Sequence, residues 1–543
     1  MVKLSSFNGS PNLNHCLTSF LNRCNSMLEL KQIHALIITF GFSEDEFFMS
    51  RVLSFSAVSD SGDIHYSNQV FRQLSNPTIF NWNTIIRGYS RSKNPNRSIS
   101  IFIEMLRAGV SPDHLTFPFL AKASARLSSL QHGVAVHNCI AKTGFEFDRF
   151  VRNSLIHMYA SCGEIISARQ LFDEMPQKNL VSWNAMVDGY AKCGDLVAAR
   201  ETFELMSERD VVSWSSLIDA YVKSGDHREA LSLFEKMQLL GPKANEVTMV
   251  SVLCACAHLG ALEQGRMMHH YVNDSALPLS LALRTSLVDM YAKCGAIDEA
   301  LAVFHGLPVD QTDVLIWNAM IGGLATHGLV KESLELFKLM QSWEISPDEI
   351  TYLCLLSACA HGGLVEEAWH FFNSLSTHGM TPKSEHFACM VDVLGRAGRL
   401  DKAFQFLDKM PVEPTASTLG ALLSGCRMHG RLDLAEEVGR KLIELEPDHD
   451  GRYIGLSNIY AVARRWDDAR TLREAMEKRG VKKSPGCSFV EVGRTLHKFI
   501  AHDKAHPESV EIYLMLNNIA ELMKLDGDNQ TQENYTCKTG ENG

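Results

Sequence analysis

Residues 182–194, SWNAMVDGYAKCG, decide the fold, because the chain keeps returning to them. Residues 81–93 (NWNTIIRGYSRSK), 213–225 (SWSSLIDAYVKSG) and 316–328 (IWNAMIGGLATHG) repeat the stretch with its tryptophan. Residues 152–163 (RNSLIHMYASCG), 284–295 (RTSLVDMYAKCG) and 388–398 (ACMVDVLGRAG) repeat it without. A tandem repeat is the first conclusion. Trp183 and Trp214 lie 31 positions apart, whereas Trp82 to Trp183 spans 101 and Trp214 to Trp317 spans 103. A short unit of roughly 31 to 36 residues therefore sits inside a period of about three units.

Within one unit Trp183, Met186, Val187 and Tyr190 recur at i, i+3, i+4 and i+7, the apolar stripe of a helix. Cys193-Gly194 ends that helix, with glycine free to take the left-handed conformation. Asp195 then caps a second helix, whose Leu196, Ala199, Phe203 and Met206 share a face. A lone hairpin cannot bury two stripes, but stacked hairpins cover each other. The sequence thus predicts an all-α fold, a right-handed superhelical solenoid of helix-turn-helix repeats in which the first helices line a groove. Asn184 follows Trp183, which is expected to be buried, so Asn184 should face away from the hairpin core.

Bulk properties narrow the class. With 543 residues and 45% hydrophobic content the chain can sustain a continuous core. A net charge of −11 argues against a partner held by bulk positive charge, such as a non-specifically bound polyanion. Of the 14 cysteines, Cys162, Cys193 and Cys294 occupy one place in successive units, just before a glycine. Register rather than pairing explains them, and a reducing compartment follows. No apolar run reaches the ~18 residues of a membrane span. The first 28 residues contain no acid, several serines and only Lys3 and Arg23 as strong bases. That incomplete transit-peptide pattern leaves 1–12 as a candidate short targeting segment.

The blocks WNAMI and MYAKCG, the endings LFDEM at 171–175 and LFEKM at 233–237, and SPD or KAN before the next helix resemble the pentatricopeptide repeat family. The closest resemblance is to its plant PLS subclass, in which standard, long and short units alternate. It implies about 12 repeats over 13–415: 13–45, 46–78, 79–113, 114–148, 149–179, 180–210, 211–245, 246–280, 281–313, 314–348, 349–384 and 385–415. Residues 416–483 look like the family's two E motifs and 484–525 like its E-plus extension. The tail 526–543, rich in Asn, Gln, Thr and Gly, is expected to be disordered.

Such repeats read one RNA base per unit with two or three side chains. The resemblance assigns this to the fifth and last residues of each unit, with an apolar second residue as a stacking wall. The base-reading pairs are then Asn83 with Asp113, Asn184 with Asp210 and Asn318 with Asp348 for U. Asn153 with Asn179 is assigned to C, Ser215 with Asn245 to A, and Thr285 with Asp313 to G. The wall is Phe80, Val181, Val212 and Leu315. Pro118, Val250 and Leu353 are the fifth residues of long units and offer no side-chain hydrogen bond. Cys389 with Thr415 and Ser50 with Thr78 match no clear pair. The alternative for any one pair is that the Asn or Asp only caps a helix and offsets its dipole.

A zinc-dependent cytidine deaminase would carry H-x-E with P-C-x-x-C. His227-Arg228-Glu229 and His506-Pro507-Glu508 match the first half, but the sequence holds no Pro-Cys and no Cys-x-x-Cys. Cys254-Ala255-Cys256 on a first helix is expected as buried thiols rather than metal ligands, and His34, His137 and His269 as a recurring packing position. No catalytic residue, metal or cofactor is expected. The resemblance implies a site-recognition factor for C-to-U editing of single-stranded organellar RNA, mitochondrial or chloroplast. Residues 416–525 would recruit a deaminase in trans. A factor for splicing, stability or translation, or a protein-binding scaffold, remains open. Counting back from the edited cytidine, the expected target is U-x-C-U-A-x-G-U-x-x, then three unread bases and the C.

Overall fold

The computed structural model describes residues 12–492, 495–500, 504 and 506–536. The chain divides into two units, 1–251 and 252–543, each built from helical hairpins. Most of the candidate segment 1–12 lies outside the described residues.

The repeat quoted above folds as its periodicity dictates. Leu180–Lys192 is the first helix, and Asp195 accepts a hydrogen bond from Ala198 N at the start of the second, Leu196–Glu204. Gly194 sits at φ +79°, and an added Cβ there would be strained by that backbone conformation rather than crowded. In the first unit the helices Glu46–Val58, Ile79–Arg91, Thr116–Arg126, Arg149–Ser161, Leu180–Lys192 and Val211–Lys223 pack each on the next. In the second unit Leu281–Lys293, Val314–Thr326, Glu349–Gly362, Ser384–Arg396 and Ala416–Met428 do the same. Small residues set the approach of these helices. A Cβ added to Gly189 would lie 2.7 Å from the Ala160 Cβ, and one added to Gly323 would lie 2.5 Å from the Ala292 Cβ.

A phenylalanine near the end of each of three second helices and the tryptophan of the following first helix turn out to be two halves of one contact. Phe172 meets Trp183, Phe203 meets Trp214 and Phe304 meets Trp317, each at a 4.9 Å centroid separation and near-perpendicular. Edge-to-face pairing of this kind joins one unit's second helix to the next unit's first helix. Trp82, Trp214 and Trp317 are buried, whereas Trp183, expected to be buried, is only partly so.

Two further periodic contacts follow the register. The histidines are packing residues: Nδ1 of His34, His137 and His269 lies 2.7, 2.8 and 2.9 Å from the hydroxyls of Tyr66, Tyr159 and Tyr291. Cys162, Cys193 and Cys294 are free thiols. The thiols of Cys193 and Cys294 point at Ala160 O and Cys256 O, 3.9 and 3.7 Å away. His327 Nε2 approaches Ala292 O at 2.6 Å. The residue before the turn glycine thus adds a side-chain contact to a carbonyl near the end of the preceding first helix, one that already accepts a backbone N–H of its own turn.

The E region continues the hairpins as Ala416–Met428, Leu432–Leu445, Asp450–Val462 and Trp466–Lys478. The E-plus segment then adds an antiparallel hairpin, Cys487–Val492 with Thr495–Ile500, that the helical periodicity did not anticipate. The helix Ser509–Thr536 runs through part of the expected disordered tail, so 526–536 is helical. Residues 537–543 lie outside the described residues. Among the described residues no helix is long and apolar enough to cross a membrane.

Candidate nucleic-acid interface

The last residue of most units is a helix cap, and the backbone geometry follows from that. Asp210 and Asp348 precede Val211–Lys223 and Glu349–Gly362, and Asn179 precedes Leu180–Lys192, each in a capping box with the third residue of the helix. Asp210 Oδ1 accepts from Ser213 N at 2.9 Å, while Asp210 N donates to Ser213 Oγ at 3.2 Å. The capping alternative raised by the sequence is therefore true of these residues.

The same oxygen also holds the fifth residue of the preceding unit. Asn184 Nδ2 donates to Asp210 Oδ1 at 3.1 Å, Asn83 Nδ2 to Asp113 Oδ1 at 2.9 Å, and Asn318 Nδ2 to Asp348 Oδ1 at 2.9 Å. Asn153 Nδ2 reaches Asn179 Oδ1 at 3.4 Å, and Ser215 Oγ lies 3.5 Å from Asn245 Oδ1. Five of the six expected pairs are thus brought together across a unit junction. The sixth is not. Thr285 Oγ1 donates to Leu281 O of its own helix at 2.9 Å, and Asp313 Oδ1 is taken by Leu315 N and Ile316 N. No hydrogen bond joins Thr285 to Asp313 among the described residues.

Two other expectations need correction. Asn184 does not stand clear of the protein: the fifth residues Asn83, Asn153, Asn184, Ser215 and Asn318 are only 6–8% exposed. They face away from their own second helix but are closed in by the next unit, so only an edge of each polar group is presented. The last short unit begins one residue early, with helix Ser384–Arg396. Its fifth residue is Ala388 rather than Cys389, whose thiol is pushed up to about 11 by burial.

Beside each amide stands the apolar second residue. Phe80, Val181, Val212 and Leu315 are 48–58% exposed although they sit one turn from buried core positions. Phe47, Leu115, Phe150, Val247 and Ile350 occupy the same place and are exposed too. The sequence reading missed these five; an apolar residue at the second position of most units, off the core stripe, was the available signal. In the second unit a groove of about 520 Å³ is lined by Thr285, Leu315, Asn318 and Ile350. The same stripe of each helix continues into ion pairs, Asp188–Lys192 at 2.6 Å, Asp219–Lys223 at 2.5 Å and Asp289–Lys293 at 2.8 Å. A row of apolar faces, polar edges and cations along one helix layer matches what a single strand presents: base faces, base edges and phosphates.

Electrostatics fix the charge of the acids. Burial acts to raise the Asp113 and Asp210 carboxyls, but hydrogen bonds outweigh it and hold both below the usual range. Asn83 and Thr116 supply them at Asp113, and Ser213 and Asn184 at Asp210. The H-x-E matches are taken up structurally: Glu229 pairs with Arg200 at 2.9 Å, and His506 Nε2 lies 2.8 Å from His497 Nδ1. Burial raises the Cys256 thiol strongly, which fits a packed thiol and not a ligand thiolate.

Stacked helical hairpins joined by polar fifth-and-last-residue junctions define a tandem α-hairpin repeat protein with a periodic polar face. Models of the PPR repeat family match residues 77–126, 209–258 and 312–361, and models of the PPR repeat match 150–180, 181–211, 284–308, 350–380 and 378–411. The E motif matches 429–491, from the second helix of the first hairpin read as an E motif through the second hairpin and into the first E-plus strand. A pentatricopeptide repeat-containing protein of Arabidopsis thaliana is 62% identical over 95% of this chain and 96% of its own length. Two others from that plant are 37% and 43% identical. The first, named as mitochondrial, matches over 94% of this chain and 90% of its own length, and the second, named as chloroplastic, over 94% and 91%. The crystal structure of the pentatricopeptide repeat protein PPR10 from maize, 18% identical, covers 86% of this chain and 78% of its own with a TM-score of 0.42. The chain belongs to the pentatricopeptide repeat family and carries an E motif.

Proposed function

We propose that the chain binds single-stranded organellar RNA in a sequence-specific manner and directs C-to-U editing of one transcript, in the manner of a PLS-type protein. The observation that carries this reading is the repeated junction. At five places a polar group with an unused hydrogen-bonding edge is locked beside an exposed apolar side chain, one such place per unit. A base stacked on the apolar side chain would offer its edge to the polar group, and the spacing of units would set the spacing of bases. The binding is selective rather than electrostatic in bulk, consistent with the net charge of −11. The E motif supports an editing role over other RNA-binding roles, and relatives named as mitochondrial or chloroplastic support an organellar location. The repeats act without catalysis, and residues 416–525 recruit the deaminase that does the chemistry.

The test is the organellar editing profile of plants lacking the protein. The expected outcome is loss of editing at one cytidine preceded by U-x-C-U-A-x-G-U-x-x and three further bases. Unchanged editing everywhere, with altered splicing or abundance of a transcript, would refute the editing role while leaving RNA binding intact.

A further inference from the structure

The junctions hold a third side chain that neither the fifth nor the last residue accounts for. It is the hydroxyl of the third residue of the following unit. Thr116 Oγ1 lies 2.7 Å from Asn83 Oδ1, Ser182 Oγ 2.8 Å from Asn153 Oδ1, Ser213 Oγ 2.7 Å from Asn184 Oδ1, and Thr351 Oγ1 2.7 Å from Asn318 Oδ1. Thr248 Oγ1 lies 2.7 Å from Ser215 Oγ. All five hydroxyl residues are fully buried.

Where the fifth residue of a long unit has no hydrogen-bonding side chain, the hydroxyl is missing as well. Pro118 is followed by Val151, Val250 by Leu283 and Leu353 by His386, which turns to Glu349 O instead. The one polar fifth residue whose expected pair does not form, Thr285, is followed by Ile316. Thr418, which follows Ala388, faces only the cap residue Thr415, 3.0 Å away; the hydroxyl reaches back to the unit before where that unit's fifth residue is Asn or Ser.

Counting donors and acceptors shows what the hydroxyl does. Asp210 Oδ1 already accepts two N–H groups, from Ser213 N and Asn184 Nδ2. Ser213 Oγ accepts from Asp210 N, so its single proton goes to Asn184 Oδ1, the shorter of its two acceptor contacts. The amide is then held at both ends, its oxygen by the hydroxyl and its nitrogen by the carboxylate. One N–H and one oxygen lone pair remain for a base. A flipped amide would set its oxygen against the carboxylate.

Resting on the base-reading function proposed above, we infer that Thr116, Ser182, Ser213, Thr248 and Thr351 are positioning residues for base discrimination, each fixing the reading group of the unit before it. Thr285, followed by Ile316, lacks this hydroxyl; Ser215 also donates to its own helix, at Val211 O 2.6 Å away, but keeps Thr248 Oγ1 beside it.

The experiment measures the affinity of the full chain for a synthetic single-stranded RNA carrying U-C-U-A-G-U at the paired positions, for versions with C replacing each U, and for one with A replacing the G. The protein should prefer U at the nucleotides read by units 79–113, 180–210 and 314–348. Ser213→Ala should cut the U-over-C ratio about fivefold at the nucleotide of unit 180–210. The ratio at the nucleotide of unit 79–113 should stay unchanged, and Ser213→Thr should restore the preference. Thr351→Val should act likewise at the nucleotide of unit 314–348, independently of how Ser213→Ala folds. Ile316→Thr should increase discrimination at the nucleotide of unit 281–313. Unchanged ratios in Ser213→Ala and Thr351→Val, or an equal loss of affinity for all RNAs, would overturn the inference while base reading stands. A parent protein that binds all versions equally would overturn both.

Discussion

Replacing Asp210 separates its two tasks. Its Oδ1 accepts from Ser213 N at 2.9 Å and from Asn184 Nδ2 at 3.1 Å, and lies 2.9 Å from Ser213 Oγ. Asp210→Ala removes a cap, worth about 1 kcal/mol, and leaves a nearly buried amide donor without an acceptor, worth about another 1 kcal/mol. The sum, ~2 kcal/mol, amounts to about a thirtyfold change in local opening. Asp210→Asn keeps an acceptor at the same place and loses only the charge assistance, about 0.5–1 kcal/mol. Its effect on RNA should be larger than its effect on stability. The junction would then match that of Asn153 with Asn179, and the preferred base at that nucleotide should change from U to C.

Repeat proteins unfold in local steps governed by neighbouring units, so a single melting temperature would dilute the effect. Amide hydrogen exchange of Ser213 reports on the cap directly. The expected order of exchange rate is wild type, then Asp210→Asn, then Asp210→Ala. RNA competition between U and C versions reads the second task. Equal exchange in all three proteins would refute the capping arithmetic, and an Asp210→Asn protein that still prefers U would refute the assignment of Asp210 as a reader.

Gly323→Val places side-chain atoms where the Ala292 Cβ already stands, 2.5 Å from an added Cβ. It should destabilise the second unit by about 1–3 kcal/mol, seen as faster exchange in 281–326. Phe80→Ala removes an exposed ring with no core role, so thermal stability should move by less than ~0.5 kcal/mol. RNA affinity should fall at least about fivefold, from a lost stack worth ~1–3 kcal/mol; an unchanged Kd would count against the stacking wall. The depressed Asp113 and Asp210 carboxyls give a pH signature. A carboxyl held low in the folded state adds stability above its unfolded value of about 3.9, and that stability is lost as pH falls through the folded value. Exchange at Thr116 and Ser213, corrected for intrinsic rate, should therefore be flat from pH 8 to about 5 and rise only below about pH 4. A rise near pH 6 would point to a histidine instead.

The hairpins were legible because their cause is local: the i, i+3, i+4, i+7 stripe of Trp183 to Tyr190 and the turn at Gly194 are set within a dozen residues. The reading pairs were legible only through resemblance, since Asn184 and Asp210 belong to different helices and meet only when the hairpins stack. Their burial was not legible. One residue after a core tryptophan does point away from its own hairpin, but periodicity within one helix says nothing of the neighbour that closes over it. The same limit hid Ser213, which reads as an ordinary capping residue until the preceding unit is placed against it. Thr285 failed as an expectation for the converse reason. Its partner Asp313 is present, but Ile316 puts a side chain without hydrogen-bonding capacity where the other junctions have a hydroxyl. The β-hairpin at 487–500 escaped because a search for helical repeats passes over alternation, although Phe489, Glu491, Leu496 and Lys498 lie in paired strands.

The opposition between cap and reader also dissolves at the atomic level. Capping requires a carboxylate or amide oxygen fixed over the first turn of a helix; reading requires a second polar group held in one orientation by a fixed neighbour. Asp113, Asp210 and Asp348 meet both needs with the same oxygen; at Asp210 and Asp348 a carboxylate oxygen has two lone pairs and one N–H of the helix start uses only one of them. The second is available only to a residue of the unit before, and stacking delivers the fifth residue to that place. A unit that caps its successor thus gains an oriented polar edge whenever its fifth residue is Asn or Ser and the successor supplies a hydroxyl. Long units, with Pro118, Val250 and Leu353 at the fifth position, stack without it. On the function proposed above, base reading would therefore be a use made of stacking geometry that the fold already needs, one that can be added or removed one junction at a time without rebuilding the helices.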